Sequence, residues 1–475
     1  MSFLHAFKPI ISALPDVARP LTSPSLKEKL MWTGAALLIF YLLGQIFPVG
    51  IDQAGVVRFE RLEILLGSKT GTLITAGIGP IVLASIFLQL AIGSGLLKLN
   101  LQTPEDKKIF QGFQKLLAIA LAALEAIIYV ISGYIPAAGS IAGSAAIPLF
   151  GSVLFTQIIV AFQLMIGSIL LLYLDEVVQK YGIGSGISLF IAAGVAQAIF
   201  VGAFSFVAAG GIPAGLIPQF LHYLSSGDVQ TSVWTLVPII FTLIVFVVVV
   251  YVSGMRIELP ISYGFARGLE ARYPIKFLYV SNIPVILAAA VLLNIQLFGM
   301  VMFNAGLPLL GNYQQNQPVD GLAYLSTAMP SPLLITGGYP AYLSFISSPS
   351  EIFHVFAYGI LLIILCIVFG WFWIESTGMG AKDVAAQLNR AHLQIPGFRQ
   401  DPRVTEKVLD RYIPIITILG SAFVGVLAWF ADITGALGTG TGILLAVGIV
   451  YQFYEELARQ QVFDLYPSLK RIVQH

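Results

Sequence analysis

Charged residues are scarce in this chain: Asp, Glu, Lys and Arg make up 10% of its 475 residues, whereas hydrophobic residues make up 57%. A soluble globular protein carries about a quarter charged residues, so this composition excludes a chain whose whole surface faces water. The net charge of +1 excludes a nucleic-acid binder that is basic throughout. Because Cys366 is the single cysteine, a disulfide scaffold and a thiolate metal cluster are excluded as well.

Long apolar runs, by contrast, recur along the whole chain. A helix needs about 20 mainly apolar residues to cross a bilayer core, and ten runs meet this requirement. The predicted spans are residues 30–49, 71–97, 113–135, 152–174, 186–208, 233–253, 277–299, 352–374, 412–431 and 436–454. The sequence therefore predicts an all-α polytopic membrane protein.

The distribution of Lys and Arg predicts the orientation of these spans, because cytosolic loops carry an excess of both residues. With the N-terminus inside, 22 of the 25 Lys and Arg fall on the cytosolic side, and only Arg58, Arg61 and Lys69 fall outside. One missed span would destroy this asymmetry. We therefore expect a multi-pass protein of the plasma membrane with both termini in the cytosol.

Ten spans divide into two sets of five, and an odd number of spans gives the two halves opposite orientations, as in inverted repeats. The predicted organisation is a cytosolic amphipathic N-terminal segment at 1–29, a first five-helix half at 30–208, an external hinge at 209–233, a second half at 234–454 with cytosolic loops at 254–276 and 375–411, and a cytosolic tail at 455–475.

The external segment 50–69 follows the first span and is not a span itself. It interleaves apolar residues with arginines and glutamates, and it is too short and too charged to cross a bilayer. Two interpretations remain open. The segment is either a helix at the membrane interface or a re-entrant element folded into a water-filled cavity, where irregular backbone is permitted.

Glycine-rich stretches break one span and open two others. Gly77, Gly79 and Pro80 break the second span in mid-membrane, the fifth span opens with YGIGSGISLF, and the tenth opens with LGTGTGILLA. Phosphate-binding glycine loops have similar letters, but here no strand precedes the glycines and no Lys follows them. Close helix packing through small residues is the better interpretation.

Chemistry-bearing residues are few. Glu125 is the ionisable residue that lies deep in a span, which makes it a functional candidate by default, although ion-coupled transport generally needs several such groups. The five histidines are scattered, with no metal-binding spacing and no HExxH motif. We therefore expect neither an enzyme nor a bound cofactor or metal.

The loops 254–276 and 375–411 are large and charged. Residues 256–262 and 265–273 alternate apolar and polar side chains around turn residues, which predicts a β-hairpin. Basic, projecting loops suit docking to an anionic partner such as ribosomal RNA. The bias of Lys and Arg toward the cytosol supplies some of the same charges, so both explanations stay open.

Stretches along the chain resemble the SecY family, the central subunits of the protein-conducting channel, and in particular its archaeal–eukaryal branch. They are SLKEKLMWTG (25–34), GTLITAGIGPIVLASIFLQL (71–90), YGIGSGISLFIAAGVAQAIFVGA (181–203), LPISYGFARG (259–268), SNIPVILAAA (281–290), IPGFR (395–399) and GTGTGILLAVGIVYQFYE (438–455). Their order along the chain is that of the family.

The resemblance implies two inverted five-helix halves around a central pore that an apolar ring closes. The implied ring residues are Ile78, Val82, Ile187, Ile191, Ile286 and Leu445. The resemblance also favours the re-entrant interpretation of 50–69 as a plug, centred on Val56, Val57, Arg58, Phe59, Glu60, Arg61 and Leu62. The implied partner-docking residues are Arg256, Arg267 and Arg399.

The function that the resemblance implies is passage of secretory polypeptides across the membrane and lateral release of transmembrane segments into lipid. The implied partners are a SecE-type small subunit, a SecG- or beta-type small subunit, the ribosome, nascent polypeptides that bear signal sequences, and membrane lipid. The main alternative is a secondary transporter built from inverted repeats, and a third possibility is a non-transporting insertase or scaffold.

Overall fold

The structure is a computed structural model of the whole chain. It describes residues 8–20, 22, 24–53, 56, 63, 67–93, 96–97, 104–139, 148–209, 212–263, 270–280, 283–314, 317–330, 332, 335, 338–390, 393–394 and 402–465.

Fifteen α-helices dominate the described residues. They are α1 (Lys8–Ala13), α2 (Leu26–Leu43), α3 (Gly79–Gly93), α4 (Pro104–Ile131), α5 (Val153–Tyr181), α6 (Gly186–Phe204), α7 (Leu216–Ser225), α8 (Val229–Gly254), α9 (Ile283–Asn304), α10 (Gly321–Leu325), α11 (Gly338–Ile346), α12 (Pro349–Thr377), α13 (Ala381–Arg390), α14 (Pro402–Ile433) and α15 (Gly440–Leu465).

Each of the ten predicted spans overlaps one of these helices, in chain order α2 to α6, α8, α9, α12, α14 and α15. Among the described residues, seven helical stretches are long and apolar enough to cross a membrane, judged by length and composition alone. The other three fall short for local reasons. Helix α2 opens with the charged run 27–29, α3 has only 15 residues, and α15 carries Glu455 and Glu456 in its second half.

Two helices begin well before the predicted spans. Helix α4 starts nine residues before the span at 113–135, and α14 starts ten residues before the span at 412–431. The extra turns are polar, with sequences such as PEDKK at the start of α4. Hydropathy marks only the apolar part of a helix, whereas its backbone hydrogen bonds continue into the polar region.

The chain forms two compact units. One consists of Met1–Leu88, Leu97–Ile199 and Leu445–His475, and the other of Gln89–Leu96 and Phe200–Leu444. In the first unit α5 packs against α2 and α4. In the second unit α12 packs against α9 and α14. Glycines bring α12 close to α14, since a side chain at Gly359 would meet the Trp429 indole, whose Nε1–H donates to the Val355 carbonyl at 2.9 Å.

The N-terminal segment is helical only over α1 in its described part, and the residues after α1 run along α5. Lys180 Nζ lies 2.6 Å from Asp16 Oδ1, and the Tyr181 hydroxyl donates to the Ala18 carbonyl at 2.9 Å. The hydrogen bond from Lys180 holds the pKa of Asp16 below its ordinary value. The segment is thus attached by polar contacts to the end of α5.

Strands are short and few in the described chain. The pairs β1 (Ala208–Ala209) with β2 (Ile212–Pro213) and β5 (Tyr313–Gln314) with β6 (Gln317–Pro318) form two small hairpins. The third sheet has the order β4-β3-β7, with β3 at Arg256–Tyr263, β4 at Glu270–Lys276 and β7 at Leu393–Gln394.

The β-hairpin predicted in the loop 254–276 is confirmed, but the end predicted for its second strand was wrong. Strands β3 and β4 are antiparallel, with Arg256 opposite Lys276 and Ser262 opposite Glu270. The second strand therefore ends at Lys276 rather than at Tyr273. The alternation of side chains continues through Pro274 and Ile275, because β4 is an edge strand, where a proline is tolerated. Strand β7, which comes from the loop 375–411, was not predicted.

Candidate functional site

A run of tight turns replaces the first part of the predicted second span. The N–H groups of Thr72, Thr75 and Gly77 each donate to the carbonyl three residues earlier, at 3.0–3.1 Å. The hydroxyls of Thr72 and Thr75 also donate to backbone carbonyls, at 2.7 and 2.5 Å. The break expected from the glycines and proline is confirmed. The prediction of helix over 71–78 was wrong, because α3 begins only at Gly79.

This turn segment is buried inside the first unit. The Leu73 N–H donates to the Ile46 carbonyl at 2.8 Å, and helix α5 passes so close that a Cβ at Gly167 would overlap the Leu73 carbonyl oxygen. In a membrane, irregular backbone is tolerated where protein covers it or where it lines a water-filled cavity. Here internal hydrogen bonds and close packing satisfy that condition.

The predicted ring residues Ile78 and Val82 lie where the turns become helix. The Val82 N–H donates to the Ile78 carbonyl at 3.0 Å, so the two side chains lie one helical turn apart on the same face. Ile78 is 1% exposed, whereas Val82 is partly exposed.

The other predicted ring residues lie near the starts of three long helices. Ile187 and Ile191 occupy the first two turns of α6, Ile286 lies in the first turn of α9, and Leu445 lies in the second turn of α15. Ile191 and Leu445 are buried, and Ile187 and Ile286 are partly exposed. Ile286 belongs to the second unit and the other ring residues to the first. Their common role remains a prediction.

The predicted plug falls largely outside the described residues: of its seven residues only Val56 is described. Val56 lies against Gly71, where a Cβ would approach its Cγ1 to 3.2 Å. After the predicted plug, Glu63 contacts the residues that lead into the turn segment, because its Oε1 accepts the Thr70 N–H at 2.9 Å and its carbonyl accepts the Ser68 N–H at 2.8 Å. Val56 and Glu63, on either side of the plug residues that the structure does not describe, therefore both contact residues at or just before the start of the predicted second span.

The hairpin of β3 and β4 combines a buried base with an exposed charged surface. Leu259 and Ile275 are buried in a cluster with residues of α13 and α14. Arg272 Nη1 lies 2.8 Å from Glu258 Oε2, and Arg256 Nε lies 3.2 Å from Glu258 Oε1. The hydrogen bond from Arg272 lowers the pKa of the exposed Glu258 carboxyl.

Of the three predicted docking residues, the structure describes Arg256, whose side chain is 59% exposed. Arg267 and Arg399 lie outside the described residues. The pairing with Glu258 was not expected from the sequence, and it holds Arg256 in place while leaving most of its side chain accessible to a partner.

The Glu125 carboxylate makes a contact within its own helix. The Tyr129 hydroxyl, one turn later in α4, donates to Glu125 Oε2 at 3.3 Å. An i, i+4 pair of this kind follows from helical spacing alone. The contact explains how a carboxyl is accommodated there and assigns it no transport role.

Sequence reasoning missed a buried polar cluster at the start of α12. His354 Nε2 lies 2.9 Å from the Thr327 carbonyl oxygen and Nδ1 lies 3.2 Å from Glu351 Oε2, while the Tyr324 hydroxyl donates to Glu351 Oε1 at 2.6 Å. A carbonyl only accepts, so Nε2 carries a proton. His354 was counted as one of the scattered histidines, although it lies within the predicted span 352–374.

These features together define a polytopic α-helical membrane protein in which turns and glycine-rich loops interrupt the spans. The SecY family model matches residues 72–454. The protein translocase subunit SecY of Methanothermobacter thermautotrophicus is 46% identical over 471 residues, which cover 98% of this chain and 97% of that relative. The subunit of the same name from Methanocaldococcus jannaschii is 43% identical over 468 residues, covering 98% of each chain.

Solved structures agree with this relationship. A protein-conducting channel matches with a TM-score of 0.78 at 43% identity, covering 97% of this chain and 98% of that one. Sec61 in the canine ribosome-channel complex from the endoplasmic reticulum matches with a TM-score of 0.75, also at 43% identity and with coverage of 97% and 98%. This chain therefore belongs to the SecY family, and it has the family's fold of ten membrane-spanning helices in two halves.

Proposed function

We propose that this chain is the pore-forming subunit of a protein translocation channel, which passes secretory polypeptides across the membrane and releases transmembrane segments sideways into lipid. The similarity to a protein-conducting channel along nearly the whole of both chains carries this proposal. A related Sec61 channel in complex with a ribosome supports the ribosome as the partner that drives transport. The other partners are a SecE-type subunit and a SecG- or beta-type subunit.

The proposed conduit closes at the apolar ring of Ile78, Val82, Ile187, Ile191, Ile286 and Leu445. Such side chains offer no hydrogen bonds to ions or water, so a narrow ring gates by dewetting while an extended polypeptide passes. Residues 56–62 would form the plug that blocks the channel at rest. A related SecY protein whose plug domain stabilises the closed state supports this role.

Lateral release depends on the partitioning of the passing segment. At the centre of a membrane helix each Leu, Ile, Phe or Val contributes about −0.3 to −0.6 kcal/mol, and each Asp, Lys or Arg costs about 2.5–3.5 kcal/mol. A segment of about 20 apolar residues therefore leaves for lipid, whereas a secretory segment with several charges stays in the conduit. The channel needs no energy source for this sorting.

We place the channel in the plasma membrane with both termini in the cytosol, as the distribution of Lys and Arg favours, and we propose that it is not an enzyme. Membership of the SecY family does not favour the secondary transporter, and the contact of Glu125 with Tyr129 gives that alternative no further support.

Crosslinking tests the proposed conduit directly. A cysteine placed at Val82, whose side chain is partly exposed, is expected to crosslink to a translocating chain in vesicles that hold the small subunits and a ribosome–nascent chain complex. The native Cys366 is buried and does not compete for the reagent. The measurement is the yield of crosslinked product for each position along the nascent chain.

A cysteine at Leu38, which lies on α2 and is 61% exposed, serves as the matched control and is expected to give no product with a soluble secretory segment. If signal-bearing chains cross the membrane but Val82 yields no more product than Leu38, the assignment of the conduit is wrong. If no chain crosses in the presence of all partners, the proposed function itself is wrong.

Reversing the charge of the three docking residues is expected to weaken ribosome binding. The triple variant Arg256→Glu, Arg267→Glu and Arg399→Glu replaces contacts with phosphates by repulsion. We expect the Kd for the ribosome to rise by about tenfold or more at physiological salt. The slope of log Kd against log salt concentration is expected to fall by about one for each phosphate contact that is lost. Sedimentation of detergent-solubilised channel with ribosomes over a range of salt concentrations measures both.

Arg19 provides the control for charge, since it is exposed and lies in the predicted cytosolic N-terminal segment. Arg19→Glu is expected to leave Kd within a factor of about two. Arg256→Glu, Arg267→Glu and Arg399→Glu are also measured singly for this comparison. If Arg19→Glu weakens ribosome binding as much as each of these single substitutions does, net charge rather than the loops governs binding.

A further inference from the structure

A buried carboxylate from one helix holds the start of the next helix in the first unit. Helix α6 begins at Gly186 after the glycine-rich turn, and its first N–H groups have no partner within the helix. The Ile187 N–H donates to Asp175 Oδ1 of α5 at 3.0 Å, and the Ser185 hydroxyl donates to the same oxygen at 3.5 Å. The acceptor that caps α6 therefore comes from a neighbouring helix and not from its own turn.

The geometry depends on the glycine at the start of α6. A Cβ at Gly186 would lie 2.6 Å from Asp175 Cα and 2.9 Å from its Oδ1, so a side chain at Gly186 would push the two helices apart. Asp175 is 5% exposed, and its second oxygen accepts from Gln179 Nε2 at 2.7 Å. A buried carboxylate is costly unless it is hydrogen-bonded, and here both oxygens are used.

The adjacent acidic residue, Glu176, binds a basic side chain, whereas among the described residues Asp175 does not. Glu176 contacts both α4 and the N-terminal segment: its Oε1 lies 2.5 Å from Nζ of Lys115 in α4, and its Oε2 accepts the Val17 N–H at 3.2 Å. The hydrogen bonds found for Asp175, in contrast, come from uncharged groups of α5, of α6 and of the turn between them. The carboxylate of Asp175 thus interacts with the positive end of the α6 dipole rather than with a basic side chain.

A related arrangement occurs in the second unit, at the glycine-rich turn before α15, although the N–H that is bound there lies at a different position in the turn. The Gly440 N–H at the start of α15 donates to Asp432 Oδ1 at 3.0 Å, and the Tyr358 hydroxyl donates to Asp432 Oδ2 at 3.1 Å. Asp432 is 4% exposed. In both places an aspartate near the end of one span precedes a Gly-x-Gly-x-Gly-Ile sequence, at Gly182 and at Gly438. A buried aspartate thus binds the first turn of the following helix in both units, which argues that the two aspartates have the same structural role.

We propose that Asp175 is a positioning residue of the channel, whose carboxylate fixes the first turn of α6 and thereby the placement of Ile187 and Ile191 in the closed ring. This inference rests on the proposed function, since it needs the ring to be the seal. The contact is direct, because the N–H that Asp175 accepts belongs to Ile187 itself. Ile191 follows one helical turn later on the same face.

Two substitutions at Asp175 test whether the seal depends on a hydrogen-bond acceptor at this position. Asp175→Ala removes the acceptor, and we expect resting ion conductance of reconstituted channels, and passage of substrates with defective signal sequences, to rise about tenfold, as expected for the loss of a hydrogen bond to a charged group. Asp175→Asn keeps an oxygen for the Ile187 N–H, and the Gln179 amide can turn to accept from the new NH₂ group. We expect it to restore conductance to within about twofold of the original chain.

Glu176→Gln is the neighbouring control and is expected to leave the seal unchanged, whatever it does to the N-terminal segment. If Asp175→Ala fails to accumulate, Gly186→Ala takes its place, because its Cβ displaces Asp175 and is expected to produce the same leak. A tight seal in either of these variants overturns the inference, as does an equal leak in Asp175→Asn. Each variant is compared with the unsubstituted channel, which is first tested for translocation of signal-bearing chains. If the unsubstituted channel does not translocate them, the proposed function has failed; if it does, the conductance of the variants tests the role of Asp175.

Discussion

Gly167→Ala is expected to prevent stable folding of the first unit. The new Cβ would overlap the Leu73 carbonyl oxygen, which is backbone and cannot rotate away as a side chain does. The Leu73 backbone is also fixed by its hydrogen bond to Ile46 and by the tight turns that follow it. Overpacking costs about 1–3 kcal/mol where side chains can adjust, and more where they cannot. We expect little folded protein in detergent extracts, measured by size-exclusion chromatography and thermal aggregation.

Gly34→Ala is the matched control, because it introduces the same methyl group into helix α2, where a Cβ meets no atom within 4 Å. Alanine is a better helix former than glycine by about 1 kcal/mol, so this variant is expected to be as stable as the original chain or slightly more so. If the Gly167→Ala channel is extracted in the same yield and unfolds at the same temperature as Gly34→Ala, the turn segment and α5 do not pack closely at Gly167.

Most of the helices follow from hydropathy alone, because a membrane helix must satisfy its backbone internally and cover itself with apolar side chains. Each predicted span therefore overlaps an observed helix. The break at Gly77, Gly79 and Pro80 was equally visible, since these residues weaken or end a helix wherever they occur.

What replaces the helix before Gly79 was not predictable from the same residues. The tight turns at 70–78 depend on the close approach of α5 at Gly167 and on the Ile46 carbonyl, which are distant in sequence. Asp175 presents the same problem: its partner Ile187 is 12 residues away, on the next helix. Only the repeated order of an aspartate followed by a Gly-x-Gly-x-Gly turn, seen again at Asp432, offered a sequence signal.

The site residues divide in the same way. Ile78 and Val82 were placed on one face by their spacing of four, and the hydrogen bond between their backbones is consistent with that placement. The pairing of Arg256 with Glu258 was not predicted, since side-chain ion pairs on an exposed hairpin depend on rotamers and not on register alone.

Ile286→Asn is expected to loosen the closed channel. Ile286 lies in the first turn of α9 and is partly exposed, so a polar side chain of similar size is accommodated there without a core cavity. An amide in an apolar constriction recruits water and removes apolar contact. If the closed state loses about 1.4 kcal/mol of stability relative to the open state, the population of the open state rises about tenfold. We expect resting ion conductance and acceptance of defective signal sequences to rise by that factor.

The control lies on the same helix, where Ile295 is nine residues later and faces the opposite side, with similar partial burial. Ile295→Asn introduces the same polarity change and the same loss of helix propensity, so it reproduces any general destabilisation of α9. If both variants leak equally, the leak reports a weakened helix and not a ring. If Ile286→Asn seals as tightly as the original chain in planar bilayers, Ile286 does not line the closed conduit.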